Sequence, residues 1–177
     1  MKNFKLVVLI ALVLNVVIVS CSSDDDDKVE PSDNVMTIEG EQINIETGII
    51  SEYGENINGS FDWDVSLFSE GFIINIAEPD NASGTGSTLY LSLNTNSALG
   101  LAPGTYTFAN ESSEFKLVSA HSNANFNAET GDGNHFIATS GTVTIAGPGT
   151  NQVINVNLVG ENGNAITASY NFVLKAV

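Results

Sequence analysis

The 177-residue sequence predicts an all-β domain, an antiparallel β-sandwich with a closed β-barrel as the alternative layout. Three observations predict it. Apolar and polar residues alternate at period two through most of the chain beyond residue 36, which is the spacing of a strand with one buried face. Clusters of Gly, Asn and Pro interrupt the alternation where turns are needed. No segment longer than two turns carries a helical period; residues 96–101 and 123–129 come nearest and could equally be loop.

The first clear strand has Phe61, Trp63, Val65 and Leu67 on one face and Asp62, Asp64 and Ser66 on the other. The pattern recurs in Phe72, Ile74 and Ile76, in Leu89, Leu91 and Leu93, in Tyr106 and Phe108, and in Phe115 and Leu117. Between these runs, Pro79-Asp80-Asn81 through Gly86 and Ala102-Pro103-Gly104 supply turn geometry. The C-terminal part predicts a three-stranded antiparallel meander. Residues 142–146 turn Val143 and Ile145 inward, Gly147-Pro148-Gly149 reverses the chain, and residues 153–159 return with Ile154, Val156 and Leu158 inward. Asn162-Gly163 reads as a two-residue hairpin turn because both residues tolerate positive φ, and it leads into Ile166, Ala168, Tyr170, Phe172 and Leu174.

The start of the chain reads differently. Met1 to Lys5 carry two lysines, an apolar run follows to Val19, and Ser20 precedes Cys21, the single cysteine. A basic start, an apolar stretch and a small residue at the cut are the parts of a secretory signal peptide, and the run is too short to span a membrane. Ile18-Val19-Ser20-Cys21 resembles the lipobox of bacterial lipoproteins, with Ile and Ser where Leu and Ala or Gly are usual. That resemblance implies cleavage before Cys21 and fatty acylation of the cysteine, of the palmitate type. The alternative is a free thiol in a secreted protein, there being no second cysteine to pair with it. The predicted organisation is therefore a signal peptide at 1–20, a lipidated cysteine and acidic tether at 21–35, and one all-β domain at 36–177.

Ser22, Ser23, Asp24, Asp25, Asp26 and Asp27 form a self-repelling, extended spacer. The run resembles the acidic export signal that surface lipoproteins of Bacteroidota carry behind the acylated cysteine, which implies an outer-membrane protein facing the cell exterior. A solvated linker on a periplasm-facing lipoprotein is the alternative. The body, on its meander and its Pro103-Gly104-Thr105-Tyr106 turn and strand, resembles the small β-sandwich lipoproteins of that phylum; the closed alternative is lipocalin-like. An anchor, a spacer and a domain without a catalytic set lead to the expectation of no cofactor, a non-enzymatic binding or envelope role and a protein or glycan partner; the alternative is a module that binds carbohydrate or a barrel that encloses a small apolar molecule.

Charge narrows the partners. The chain has 21 acidic residues against five lysines and no arginine, a formal net charge of −16, and loss of Lys2 and Lys5 with a leader deepens it. Such a surface repels phosphate backbones and has no forked donors to hold them, so nucleic acid is excluded as an expected partner.

Few residues suggest chemistry. Asp62 and Asp64 share one strand face and could act as acid and base, but glycosidase carboxylates face each other across a cleft, so a solvated strand face is the expected state. His121 and His135 are the only histidines; neither lies in a nucleophile motif, and no G-x-S-x-G elbow occurs. No catalytic residues are therefore predicted. Glu129, Asp132 and Asn134, around Gly131 and Gly133, offer hard oxygen ligands to calcium, though Asp132-Gly133 is also an ordinary turn. Trp63, Tyr90 and Tyr106 could stack on sugar rings. Trp63 is in phase with the core, whereas Tyr90, out of phase with Leu89 and Leu91, is the exposed candidate for ligand binding.

Overall fold

Alternation and turn chemistry produce eleven strands and no helix among the described residues of the computed structural model, which are 34–75, 82–147, 151–173 and 175–176. The predicted leader, Cys21 and the tether through residue 33 lie outside the described residues, as do Ile76, the Pro79-Asp80-Asn81 turn, the tip at Pro148-Gly149 and Leu174, whereas Val35, the last residue assigned to the tether, opens the first strand. The strands are β1 (Val35–Ile38), β2 (Glu41–Glu55), β3 (Phe61–Ser69), β4 (Phe72–Ile73), β5 (Ser83–Thr95) and β6 (Gly104–Phe108). They continue with β7 (Lys116–Asn127), β8 (Asn134–Ala146), β9 (Asn151–Gly160), β10 (Ala165–Val173) and β11 (Lys175–Ala176).

Each long strand pairs antiparallel with the next, in the sequence β2–β3–β5–β7–β8–β9–β10. These are seven strands, an odd number, so the first and last run in the same direction and can meet only in parallel. Two short elements resolve this mismatch. At one end β1 inserts antiparallel to both, pairing Met36 with Ala168 of β10 and with Ile43 of β2. Towards the other end β11 lies parallel to β2, with Lys175 opposite Ile49. A second wedge, β6, enters between β7 and β8, parallel to the former and antiparallel to the latter. The pairings therefore run full circle in one continuous sheet, the barrel-like form of the predicted all-β fold made irregular by two wedges. Closure leaves few unpaired edges for foreign strands to join.

The inward faces fill the interior. Met36, Val65, Leu67, Leu89, Leu91, Leu93, Leu117, Val143, Ile154 and Leu158 are fully buried, and Ile38, Ile145 and Ile166 nearly so. Complete burial of a branched apolar chain stabilises by about 1.5–3 kcal/mol, so this layer carries the fold. One end is stoppered by the 96–103 loop, which inserts Leu101 into the core. Four buried groups fix the loop: Trp63 Nε1 donates to Ser97 O at 3.1 Å, Tyr106 Oη to Ala102 O at 2.7 Å, Gln152 Nε2 to Leu101 O at 2.7 Å, and Thr95 Oγ1 accepts from Ala102 N at 3.1 Å. Trp63 and Tyr106 are thus core and loop anchors rather than faces for a ligand.

The meander β8–β9–β10 forms as predicted, but its turn differs. Gly163 has φ +80° while Asn162 stays at negative φ, and Gly163 N donates to Gly160 O at 2.9 Å with Asn162 Oδ1 accepting from Asn164 N at 3.0 Å. A type I turn followed by a left-handed glycine results, in place of the two-residue turn. The two-residue geometry occurs instead at Glu39-Gly40, both at positive φ, between paired Ile38 and Glu41. Residues 123–127, weighed as helix or loop, belong to β7. Phe115 lies outside that strand in a left-handed conformation (φ +56°), its ring 5.4 Å from Tyr106, and the run from Phe72 pairs only as far as Ile73. Gly141 of β8 is obligatory: φ is +125°, and a Cβ there would collide with the Asn157 carbonyl oxygen.

Candidate functional site

Period-two geometry that buries Leu89 and Leu91 must turn Tyr90 to the outer wall. There the register places Ser66 of β3, Tyr90 of β5, His121 of β7 and Ile137 of β8 in one row across four strands. Directly opposed residues interact, and the Tyr90 and His121 rings stack with centroids 4.6 Å apart and planes 26° from parallel. Tyr90 reaches diagonally to donate its O–H to the Asp64 carboxylate. On the other side the His121 ring lies 5.2 Å from that of His135. His135 Nδ1 is 2.8 Å from Asn123 Oδ1, and Asn123 Nδ2 donates to Thr88 Oγ1 at 2.9 Å. Residues far apart in sequence, Asp64, Tyr90, His121 and His135, thus form one connected outer stripe.

Beside the stripe, β2, β3 and β5 form a groove of about 230 Å³ lined by Ile49, Ser51, Tyr53, Asp64, Ser66, Phe68 and Tyr90. Its rim includes Tyr53, which is 70 % exposed. Ring faces, two serine hydroxyls and one carboxylate are the mixture of apolar surface and sparse polar groups that a small-ligand site uses.

Asp64 corrects the solvated strand face expected from the sequence: it is only 7 % exposed. Burial pushes its carboxyl above the usual carboxylate range, against the pull of hydrogen bonds from Tyr90 and Ser92, and Asp62 adds to the rise. Burial and the adjacent carboxylate likewise push the Tyr90 phenol up, so it stays a donor. Burial, then the nearby His135, lowers the His121 pKa from 6.5. Asp62 lies on the same outer face but in a separate set of contacts, accepting from Asn56 Nδ2 at 2.9 Å and from Asn94 Nδ2. The two aspartates therefore have different partners and do not face each other across a cleft.

The proposed calcium loop is organised by another residue. Asn127 Oδ1 accepts from Glu129 N at 2.9 Å and from Thr130 N at 3.0 Å, and Asn127 N donates to Asp132 O at 2.8 Å. Glu129 turns its carboxylate away to accept from Gly84 N at 2.9 Å, and Asn134 opens β8 opposite Ala124. Among the described residues no three His, Cys, Asp or Glu side chains gather as a metal site.

Sequence reasoning found Tyr90, Asp64 and both histidines but not their neighbourhood, which depends on register. It did not single out Tyr53, Phe68, Asn123 or Thr88. Phe68 had a readable signal, being a large ring out of phase with Val65 and Leu67. Comparison with known proteins adds no analogy: no protein-family model, curated protein or solved structure matches the chain.

Proposed function

We infer that this chain is a lipid-anchored, exported binding protein that takes its ligand on the outer wall of the β-domain rather than inside it. The observation that carries this reading is the contrast between the two sides of the sheet. The interior is filled by fully buried apolar side chains, whereas the outer wall bears the Tyr53–Phe68–Tyr90 groove with Asp64 and two serines in it. A filled interior argues against the alternative of an apolar molecule enclosed by the barrel. Rings flanking a carboxylate and hydroxyls suit a saccharide, whose C–H faces stack on aromatics while its hydroxyls need acceptors and donors.

Anchor and location rest on the sequence. Cys21 carries the lipid, residues 22–27 serve as the acidic leash, and the domain faces the exterior of an outer membrane, where an envelope or host glycan would meet it. The role in this reading is binding, and what supports it is the groove's mixture of rings, hydroxyls and one carboxylate.

Glycan-array binding of the acylated full chain tests the reading, followed by affinity measurements on Tyr53→Ala and Tyr90→Ala. Saccharide binding weakened about ten-fold or more by either change supports it; binding untouched by both, or enzymatic turnover of the bound glycan, overturns it. Protease shaving of intact cells, with residues 24–27 changed to Ala in a second strain, tests the location. Surface exposure lost in that strain is the expected result, and a protected wild-type domain contradicts it.

A further inference from the structure

The histidine end of the stripe has a geometry the groove does not use, and it points to a two-histidine binding site for a divalent transition metal on the outer wall, formed by His121 and His135.

Two imidazoles can share an ion only if their ligating nitrogens approach closely, since zinc–nitrogen bonds are about 2.0–2.1 Å long. Ring centroids 5.2 Å apart and tilted by 45° place the two imidazoles within reach of one ion. The two residues sit on adjacent strands one diagonal step apart: His121 pairs with Ile137 and His135 with Asn123, so both side chains leave the same face.

With Asn123 Nδ2 donating to Thr88 Oγ1 at 2.9 Å, Asn123 Oδ1 lies 2.8 Å from His135 Nδ1, and the matching tautomer carries its proton on Nδ1. Nε2 is left with its lone pair directed away from the backbone. A ligating histidine whose second nitrogen donates to a fixed acceptor is the usual support of a metal site, and Thr88–Asn123–His135 supplies it before any metal arrives. His121 is held by a different device, its ring stacked against Tyr90, whose own position is fixed by Asp64. Both imidazoles are therefore oriented by neighbours that are not themselves ligands.

Imidazole selects zinc, copper or nickel over calcium and magnesium. No third His, Cys, Asp or Glu joins the pair among the described residues, so the other coordination positions go to water or to an oxygen of a bound ligand. The site is open rather than structural. A net charge of −16 draws cations towards this surface.

The test uses the acylated chain and Zn²⁺, followed by ¹H–¹⁵N NMR of the histidine rings, of which there are two. Both Nε2 resonances are expected to shift together and saturate with one ion, while Ca²⁺ moves neither. His121→Ala and His135→Ala should each weaken binding about ten-fold or more, and Asn123→Ala, which keeps both ligands but frees the tautomer, should weaken it by a similar factor. All three positions lie on the outer wall, and unchanged thermal melts would show that the variants are folded. A response from one ring only, an equal response to Ca²⁺, or unaltered Zn²⁺ affinity in the two histidine variants would overturn the assignment.

Discussion

The C-terminal β9–β10 pair and the wall made by β2, β3, β5 and β7 are built from the same alternation, yet the groove lies on the wall. β9 and β10 pair over nine consecutive positions from Ala165 opposite Val159 to Val173 opposite Asn151 with no slip. The wall slips repeatedly, between Ile45 and Thr47 and between Glu52 and Gly54 against β3, and between Gly86 and Thr88 and between Ser92 and Leu93 in the β5–β7 pair. A bulge adds twist and re-aims side chains. On β9 and β10 the outward residues include Asn155, Asn157 and Ser169, short polar groups, beside Val159, which is 41 % exposed, whereas the wall sends Tyr53, Phe68, Tyr90 and His121 outward. The regular β9–β10 pair bears no groove, whereas the irregular wall brings rings and carboxylate together; β8, which supplies His135, slips as well, between Ala138 and Ser140 against β9.

If that division is right, the two regions differ on the outside and agree on the inside. The largest expected effects are common to both: Leu91→Ala in the wall and Leu158→Ala in the meander, each fully buried, should lower unfolding free energy by about 2–5 kcal/mol in denaturant titrations. A loss well under 1 kcal/mol at either position would mean that the interior is not packed as described.

The outer faces should then separate. Tyr90→Phe removes the donor to a nearly buried carboxylate and should lower stability by about 1.5–3 kcal/mol. A neutral outcome in thermal melts would place Asp64 in water instead.

The pH dependence gives the sign. The folded-state pKa of Asp64 is raised, so between its unfolded value of 3.8 and that higher value the folded chain binds more protons than the unfolded one. Stability contributed by this group is present at low pH and falls as pH rises through that window. Asp64→Asn escapes the fall. The stability difference of the variant over the wild type should therefore increase from acid to neutral pH, as followed by chemical denaturation at several pH values, and a flat difference would contradict the burial of Asp64. The smallest effect belongs to the outer meander, where Asn157→Ala should change stability by no more than about 0.5 kcal/mol.

How far the sequence could be read follows the same division. Val143, Ile145, Ile154, Val156 and Leu158 declare their strands because nothing interrupts their period, and all are buried. β2, the longest strand, is obscured by its slips: Gly48, Ile49 and Ile50 are buried in succession, a pattern that alternation cannot anticipate. Phe115 reads as a strand residue until its left-handed backbone removes it. Within the site, the residue types of Asp64, Tyr90, His121 and His135 were visible, but their conjunction was not, because cross-strand register depends on bulges and loop lengths far from each residue. Asp64 reads as solvated because no local pattern reveals that a tyrosine on β5 will lie over it.

Whether the ligand occupies the outer wall is decided most directly by NMR mapping of the full chain with the best saccharide from the glycan array. The expected result is perturbation of Tyr53, Ser66 and Tyr90, with the interior methyl groups of Leu91 and Leu158 unmoved. Shifts concentrated on those interior methyls, with the groove residues silent, would contradict the account.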